Sequence, residues 1–139
     1  QGGERVIDIG CGSGILSIAA AKFGATHITA VDVDDAAVSA TRENVALNGV
    51  QSQVDVMKND LLHGFAGKAD IVVANILAEV IVSFVDDVAH VLASGGIYIT
   101  SGIIEKKEEI VRRALRSQHF NIVDTLRQDH WVAIIAQKR

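Results

Sequence analysis

The segment from residue 6 to residue 22 constrains the fold more than any other part of the chain. An apolar, β-branched run at 6–9 leads through Gly10-Cys11-Gly12-Ser13-Gly14 directly into a helical pattern. Glycines allow positive φ and let a ligand approach the backbone, and the first turn of a helix offers free N–H groups. A strand, a glycine turn and a helix in this order predict an α/β fold with a ligand crevice beyond the strand ends.

Short β-branched runs recur along the chain and predict further strands. Several are apolar at nearly every residue, as expected where helices cover both faces of a parallel sheet. The five predicted strands are residues 5–9, 27–33, 54–58, 71–74 and 97–100. Two later β-rich runs, 120–126 and 130–136, are separated by Arg127-Gln128-Asp129 and predict an antiparallel hairpin.

Helical patterns fill the gaps between these runs. The first stops at Gly24, and one of its faces is formed by Ile15, Ile18 and Ala19. Asp34 or Asp35 caps a second helix that runs to Asn48, with Gly49 just beyond it. A third carries a 3.6-residue apolar stripe made of Val80, Ile81, Phe84, Val85, Val88, Val91 and Leu92. A fourth, 105–116, has a charged outer face and an inner face of Ile110, Val111, Ala114 and Leu115.

Together these elements predict one domain with a doubly wound, Rossmann-like α/β fold. Its sheet is open and mostly parallel, and the C-terminal hairpin adds antiparallel strands at one side. The 139 residues suit one domain, and 49% hydrophobic residues exclude a disordered chain. The first strand begins only five residues into the chain, which suggests a fragment or the C-terminal domain of a longer protein.

Charge and cysteine content narrow the possible partners and location. A net charge of −4 offers no bulk attraction to nucleic acid or to an anionic membrane. The most apolar stretch, 71–85, is interrupted by Asn75, Glu79 and Ser83 and is too polar to span a bilayer. The single cysteine, Cys11, excludes an internal disulfide and is typical of a cytoplasmic protein. Its side chain is interpreted as a small apolar residue that packs in the interior. The oligomeric state stays open.

The residues of the glycine turn select among its possible ligands. The dinucleotide fingerprint fails at Ile15, where glycine or alanine is required, and no Gly-Lys-Ser/Thr follows to make a phosphate loop. The run D-I-G-C-G-S-G, which begins at Asp8, resembles the first motif of the Rossmann-like S-adenosylmethionine-dependent methyltransferases. This resemblance implies S-adenosylmethionine as cofactor, and Asp8 would favour its ammonium group. The implied binding residues in the turn are Asp8, Gly10, Cys11, Gly12 and Gly14.

Two further acids follow predicted strands. Asp32 ends the strand ITAVD, eighteen residues beyond Gly14, where a carboxylate can accept hydrogen bonds from both ribose hydroxyls. The resemblance implies this role, with Val33 lying against the adenine. It also implies that Asp60 accepts from the adenine amino group while its neighbours Asn59 and Leu61 border the ring. The alternatives are a helix cap for Asp32 and a turn acid for Asp60.

The end of the fourth strand carries the most specific resemblance. Many amino-group methyltransferases have Asn/Asp-Pro-Pro-aromatic there, but this chain contains no proline and reads N-I-L-A from Asn75. That run, together with Ser101-Gly102-Ile103-Ile104, resembles the PrmA family, which methylates large-subunit ribosomal protein eleven. The resemblance covers the whole chain. It implies methyl transfer to lysine ε-amines and α-amines, with Asn75 orienting the amine and also contacting the cofactor. The alternative for Asn75 is to cap the following helix.

Several functional alternatives stay open at this point. The resemblance assigns residues 1–139 to the cofactor-binding catalytic domain, and neither the family's N-terminal substrate-recognition domain nor its Gly/Thr-rich segment is in this chain. The alternatives are a small-molecule or RNA methyltransferase, a cofactor-binding module inactive without its missing domain and, least favoured, a nucleotide-dependent oxidoreductase. No residue is placed to be a general base, because the five histidines are scattered, and no cluster has metal-ligand spacing. Trp131 is expected to pack on the sheet or on the missing domain.

Overall fold

Three parallel strands form the first of two compact units, which span Gln1–Phe65 and Ala66–Arg139. The structure is a computed structural model and describes residues 3–63, 65 and 67–139. The elements of the first unit are β1 (Arg5–Ile9), α1 (Ile15–Lys22), β2 (His27–Asp32), α2 (Asp35–Leu47) and β3 (Val54–Lys58). The strands lie in the order β3-β2-β1, and most of β1 and β2 is buried, as predicted for a covered parallel sheet.

The second unit combines parallel and antiparallel strands. Its elements are β4 (Ala69–Asn75), α3 (Ala78–Ser83), α4 (Val85–Val91), β5 (Leu92–Ile104), a 3₁₀ turn (Glu105–Lys107), α5 (Glu108–Ser117), β6 (Phe120–Gln128) and β7 (Trp131–Lys138). The order is β4-β5-β7-β6; β4 runs parallel to β5, while β7 is antiparallel to both of its neighbours. The predicted C-terminal hairpin is therefore confirmed.

The apolar stripe that predicted one helix belongs to two helices and a strand. Phe84 separates α3 from α4 with φ −133, and Leu92 already begins β5. Ile81, Phe84 and Val88 are all buried, so the stripe identifies the packed face correctly. The single-helix prediction is wrong because the backbone turns at Phe84, while side chains on both sides of the turn stay in the core.

The inner face of α1 also differs from the prediction. Ile15 is 70% exposed, and the buried residues of the helix are Ser17 and Ala21. A polar residue lies inward because its hydroxyl bonds to a buried carboxylate of β1, described below. Apolar periodicity alone misjudges this face, since a satisfied hydrogen bond makes burial of a serine possible.

The C-terminal strands are longer than predicted. β5 spans thirteen residues, the hairpin turn is confined to Asp129 and His130, and the helix predicted at 105–116 begins as a 3₁₀ turn. Ile110 of that helix is partly exposed, and Trp131 is 54% exposed and so only partly packed. Among the described residues, no helix has the length and apolarity needed to cross a membrane.

Candidate functional site

The glycine turn between β1 and α1 depends on left-handed backbone geometry. Gly10, Gly12 and Gly14 have φ values of 72°, 58° and 86°, which favour glycine. The N–H groups of Gly10 and Cys11 both donate to the carbonyl of Val31, at 2.9 and 3.0 Å. The turn is thereby tied to the end of β2, the neighbouring strand.

Gly14 is required for space as well as for φ. A β-carbon at this position would lie 2.7 Å from Cγ2 and 3.3 Å from Cα of Thr41 on α2. At Gly12, by contrast, a β-carbon would meet nothing within 4 Å, so the outer side of the turn is open. The turn therefore packs closely on one side and leaves room on the other.

Two polar residues of α2 brace the turn, and sequence reasoning missed both. The Thr41 hydroxyl donates to the carbonyl of Gly12 at 2.8 Å and lies 3.3 Å from the Sγ of Cys11. Asn44 donates from Nδ2 to the carbonyl of Ser13 at 2.9 Å. The two residues lie three positions apart on one face of α2, and Thr41 lies between the buried residues Val38 and Val45. This spacing is a sequence signal that could have identified Thr41 and Asn44 as residues that contact the turn.

Asp8 is buried rather than open to solvent. It is 2% exposed, and its Oδ2 accepts a 2.8 Å hydrogen bond from the Ser17 hydroxyl. Burial raises the pKa of the Asp8 carboxyl above its ordinary value, although the Ser17 hydrogen bond acts in the opposite direction. Burial likewise raises the pKa of the Cys11 thiol, which fits a packing role better than a nucleophile.

The carboxylate of Asp32 joins the end of β2 to the glycine turn. Its Oδ2 accepts from the N–H of Gly12 at 3.1 Å, and its Oδ1 accepts from the N–H of Asp34 at 3.0 Å. The N-cap of α2 is Asp34, whose side chain accepts from the N–H of Ala36. The alternative that Asp32 caps this helix is therefore wrong. The next residue, Val33, is 56% exposed.

The segment after β3 is a turn organised by Asn59. Its N–H donates to the carbonyl of Asp32 at 3.0 Å, and its Nδ2 donates to the carbonyls of Leu61 and His63. Leu61 has a φ of 53°, and the side chain of Asp60 is exposed. Direct hydrogen bonds thus connect Gly12, Asp32 and Asn59, three of the residues predicted to form one site.

In the second unit, Asn75 is the last residue of β4 and pairs in register with Ser101 of β5. A β-carbon on Gly102, whose φ is 75°, would lie 2.5 Å from the Oδ1 of Asn75. The two motifs N-I-L-A and S-G-I therefore touch, and the glycine is needed because the Asn75 amide occupies its side-chain space. The N-cap of α3 is Leu77, so the alternative that Asn75 caps this helix is wrong.

The exposed amide of Asn75 takes part in no hydrogen bond with the described residues. The five histidines are all exposed, and the described part of the chain contains no cluster of metal-ligating side chains. The second unit therefore presents an amide that is free to bond to a bound molecule.

Comparison with known proteins adds three findings. A family model described as "Ribosomal protein L11 methyltransferase (PrmA)" matches residues 1–139. Proteins named ribosomal protein L11 methyltransferase from Halalkalibacterium halodurans and Bacillus cereus (strain B4264) are 53% and 50% identical over 137 residues. These alignments cover 99% of this chain and 44% of each relative, so the chain spans less than half the length of these curated relatives.

Solved structures agree in fold. A ribosomal protein L11 methylase from Lactobacillus delbrueckii subsp. bulgaricus is 36% identical with a TM-score of 0.94, covering 99% of this chain and 71% of that one. A methyltransferase from Pyrococcus furiosus is 21% identical with a TM-score of 0.85, covering 99% and 76%, and shows the fold alone. The predicted Rossmann-like fold of class I methyltransferases is confirmed.

Proposed function

The chain belongs to the ribosomal protein L11 methyltransferase (PrmA) family, and on that premise we propose that it binds S-adenosylmethionine and methylates amino groups of a ribosomal protein, L11 of the large subunit. The observation that carries the cofactor part is Asp32, a partly exposed carboxylate at the end of β2 that is hydrogen-bonded to the glycine turn. In open α/β sheets, ligands bind beyond the carboxyl ends of the strands.

The chemistry of the residues in the first unit fits the parts of this cofactor. Asp32 supplies carboxylate acceptors for the ribose hydroxyls, and the exposed side chain of Val33 offers an apolar surface to adenine. The open side of the turn at Gly12 gives space for the methionine part. Asp60 accepts from the adenine amino group, and Asn59 and Leu61 shape the turn that borders the ring.

In the proposed site, Asp8 acts on the cofactor from the buried side of the glycine turn. It is too buried for a direct contact with solvent, so its negative charge would act on the cofactor's ammonium group through the turn. Gly10, Cys11 and Gly14 maintain the path of the backbone, with Cys11 buried against Thr41. The turn therefore contributes N–H groups and space rather than side chains.

The glycine turn, Asp32 and Val33 would hold S-adenosylmethionine, which would supply the amine nitrogen with an electrophilic methyl group whose leaving group is the sulfur. Asn75 orients that nitrogen in the proposed mechanism, because its Oδ1 can accept a hydrogen bond from the amine and direct the lone pair. A lysine amine has a pKa near 10.4, so its neutral form is a minority at pH 7. Among the described residues no side chain is placed as a base, and the proton leaves to solvent.

We infer that residues 1–139 form the catalytic domain of this activity. The relatives are more than twice as long as the aligned region, which supports a contribution to substrate recognition from elsewhere in the whole protein. A cytoplasmic location suits a ribosomal protein as substrate. RNA or small-molecule methylation gains no support, because the solved structures named for tRNA, RNA or precorrin methylation are below 25% identity and share only the fold.

Calorimetric titration of S-adenosylmethionine separates the proposed roles of Asp32 and Asn75. Asp32→Ala should weaken binding by about tenfold or more, because it removes hydrogen bonds to a charged group. Asn75→Ala should leave the dissociation constant nearly unchanged and lower methyl incorporation into purified L11 by roughly 10²-fold. The titration uses the full-length protein.

Three results would contradict these roles. Absence of saturable S-adenosylmethionine binding by the wild type would exclude the cofactor. Binding without methyl incorporation into L11 would exclude the substrate. Equal loss of binding in both variants would exclude an orienting role for Asn75.

A further inference from the structure

The C-terminal end of α2 carries a pair of residues that is prone to a covalent change. Of the five asparagines in the chain, Asn48 is the one that is followed by glycine. Because glycine has no side chain, its backbone nitrogen is unshielded and can reach the side-chain amide of a preceding asparagine. A β-carbon on Gly49 would meet nothing within 4 Å, and Asn48 itself is exposed.

The reaction that this pair permits is deamidation. The backbone nitrogen of Gly49 gives up its proton to base in solution and attacks Cγ of Asn48. The new C–N bond closes a cyclic imide, while the bond from Cγ to Nδ2 breaks and the leaving nitrogen takes up a proton and departs as ammonia. One water molecule then opens the imide at either carbonyl and leaves aspartate or isoaspartate. Water is the co-reactant, and nothing is oxidised or reduced.

Solvent reaches this end of α2. Residues 46–49 are all exposed, and a cavity of about 310 Å³ lies between α2 and the start of α1, with Asn48 in its lining. In the folded helix the N–H of Gly49 donates to the carbonyl of Ala46 at 3.1 Å, so the reaction requires the last turn of α2 to open. Fraying of an exposed helix end supplies that opening.

The Asn48 side chain helps to close the helix end, and both products of deamidation would weaken it. Its Nδ2 donates to the carbonyl of Asn44 at 2.8 Å. An aspartate replaces this donor by an acceptor and adds a negative charge at a helix C-terminus, where it is unfavourable. Isoaspartate also adds a methylene to the backbone, which displaces the N–H groups of Gly49 and Val50 from helix carbonyls that they reach at 3.1 and 3.2 Å.

The last turn of α2 is connected to the glycine turn through Asn44. The carbonyl of Asn44 accepts from Asn48, and its Nδ2 donates to the carbonyl of Ser13 at 2.9 Å. Opening of the helix end therefore releases Asn44 and removes one of two bonds from α2 to the carbonyls of the glycine turn. The other bond, from the Thr41 hydroxyl to the carbonyl of Gly12, remains.

We propose that Asn48 is a site of spontaneous deamidation, and that its conversion to aspartate or isoaspartate loosens the glycine turn through Asn44. The modification does not depend on the proposed function, whereas the resulting loss of affinity for S-adenosylmethionine rests on it. Since the reaction needs no enzyme, the modified fraction rises with the age of the protein molecules, and older molecules bind the cofactor less tightly.

Mass spectrometry of aged protein tests the modification. The purified full-length protein is incubated in mildly alkaline buffer, and the tryptic peptide of residues 43–58 should gain the mass of an amide-to-acid change at Asn48. Asn121, which is exposed but followed by the β-branched Ile122, should stay unmodified in the same sample. A synthetic peptide of residues 43–58 shows the rate without the fold, and Asn48→Gln should abolish the mass gain.

Calorimetric titration with S-adenosylmethionine tests the consequence. The aged protein and Asn48→Asp should both bind the cofactor about threefold to tenfold more weakly than fresh wild type. Asn121→Asp is the matched control, because it makes the same charge change at an exposed residue of β6 and should leave the affinity unchanged. Hydrogen exchange of the glycine turn should be faster in Asn48→Asp than in this control.

A double-mutant cycle tests the route through Asn44. Asn44→Ala removes the bond to Ser13, so adding Asn48→Asp to it should weaken S-adenosylmethionine binding no further. Additive losses of affinity would exclude this route.

Two further results would overturn the inference while leaving the proposed function intact. One is an unmodified Asn48 in the protein after an incubation that converts the synthetic peptide completely. The other is wild-type affinity and wild-type hydrogen exchange of the glycine turn in both aged protein and Asn48→Asp. Failure of fresh wild type to bind S-adenosylmethionine would instead contradict the proposed function, and the mass gain and hydrogen exchange would still decide the inference.

Discussion

The glycine turn of the first unit and the end of β4 in the second unit are built in opposite ways. The turn is braced by side chains from three elements: Thr41 and Asn44 of α2, Asp32 of β2 and, through Asp8, Ser17 of α1. The Asn75 amide makes no hydrogen bond with the described residues, and its position is set by close packing on Gly102.

This difference suits two different tasks. A surface that binds a cofactor benefits from being fixed beforehand, because no ordering cost remains at binding. A side chain that must bond to an incoming amine has to keep its acceptor free until the amine arrives. Both regions rely on a glycine whose β-carbon would collide with a neighbour, so matched glycine substitutions test the comparison directly.

Gly14→Ala should have the largest effect and should act on the first region. The left-handed φ costs about 1–2 kcal/mol for alanine, and the clash with Thr41 adds roughly 1–3 kcal/mol. Urea denaturation should show this loss of stability, and S-adenosylmethionine binding should weaken with it.

The control is Gly49→Ala, with a φ of 69° and no atom within 4 Å of a β-carbon. It should show only the strain of about 1–2 kcal/mol. If the two variants lose equal stability, close packing of the turn on Thr41 has no energetic importance.

Gly102→Ala should lower the kcat for methylation and leave the affinity for S-adenosylmethionine unchanged. A β-carbon would displace the Asn75 amide, and a shift of about 1 Å at a catalytic group can cost roughly 10²-fold in rate. The measurements are kcat for methylation of L11 and the dissociation constant for S-adenosylmethionine, which should be unchanged.

Gly95→Ala serves as the control in the same strand, because its φ is 79° and nothing lies within 4 Å of a β-carbon. Its kcat should match that of the wild type. A wild-type kcat in Gly102→Ala would show that the contact between the N-I-L-A and S-G-I motifs does not position the Asn75 amide.

Thr41→Val should have a smaller effect, again confined to the first region. It removes the hydroxyl that donates to the carbonyl of Gly12 while keeping the shape of the side chain. We expect a loss of about 1–2 kcal/mol in the free energy of unfolding and a severalfold weaker affinity for S-adenosylmethionine. Ser117→Ala, which removes an exposed hydroxyl at the end of α5, should change stability by no more than about 0.5 kcal/mol. Equal losses of stability in Thr41→Val and Ser117→Ala would mean that the Thr41 hydrogen bond does not stabilise the glycine turn.

Asp8→Asn should have the smallest effect and should depend on pH. Because the folded-state pKa of Asp8 is raised above 3.8, the native protein binds the proton more tightly than the unfolded chain does. The contribution of Asp8 to stability is therefore fully present below pH 3.8 and is lost as pH rises through the raised value. As pH rises from 3.8 through the raised value, the free energy of unfolding of the wild type should fall relative to that of Asp8→Asn. A difference that stays constant with pH would mean that burial does not perturb this carboxyl.

Much of the fold follows from local patterns. The bounds of β1 and β3, the Asp34 cap and Gly49 at the end of α2 were all predictable, since each depends on residues close together in the chain. The break at Phe84 was not, because both halves of its stripe are apolar and only the packing of α3 and α4 decides where the backbone turns.

The candidate site divides in the same way. The glycines, Asp32 and Asn75 stand at predictable strand ends, but Thr41 and Ser17 look like ordinary helix residues in sequence. Their importance comes from hydrogen bonds to residues 29 and 9 positions away along the chain. Apolar periodicity predicts which face of a helix is buried, but it does not identify a buried polar residue whose hydrogen-bond partner lies elsewhere in the chain.

The sequence by itself determined the strand, the glycine turn and the motifs that lead to the family, because backbone freedom at glycine and alternation in strands are local properties. Only the tertiary structure decided that Thr41 packs on Gly14, that Ser17 holds Asp8 and that Asn75 fills the space above Gly102. Those contacts join residues far apart in the chain, and their distances depend on how helices and strands pack rather than on any local preference.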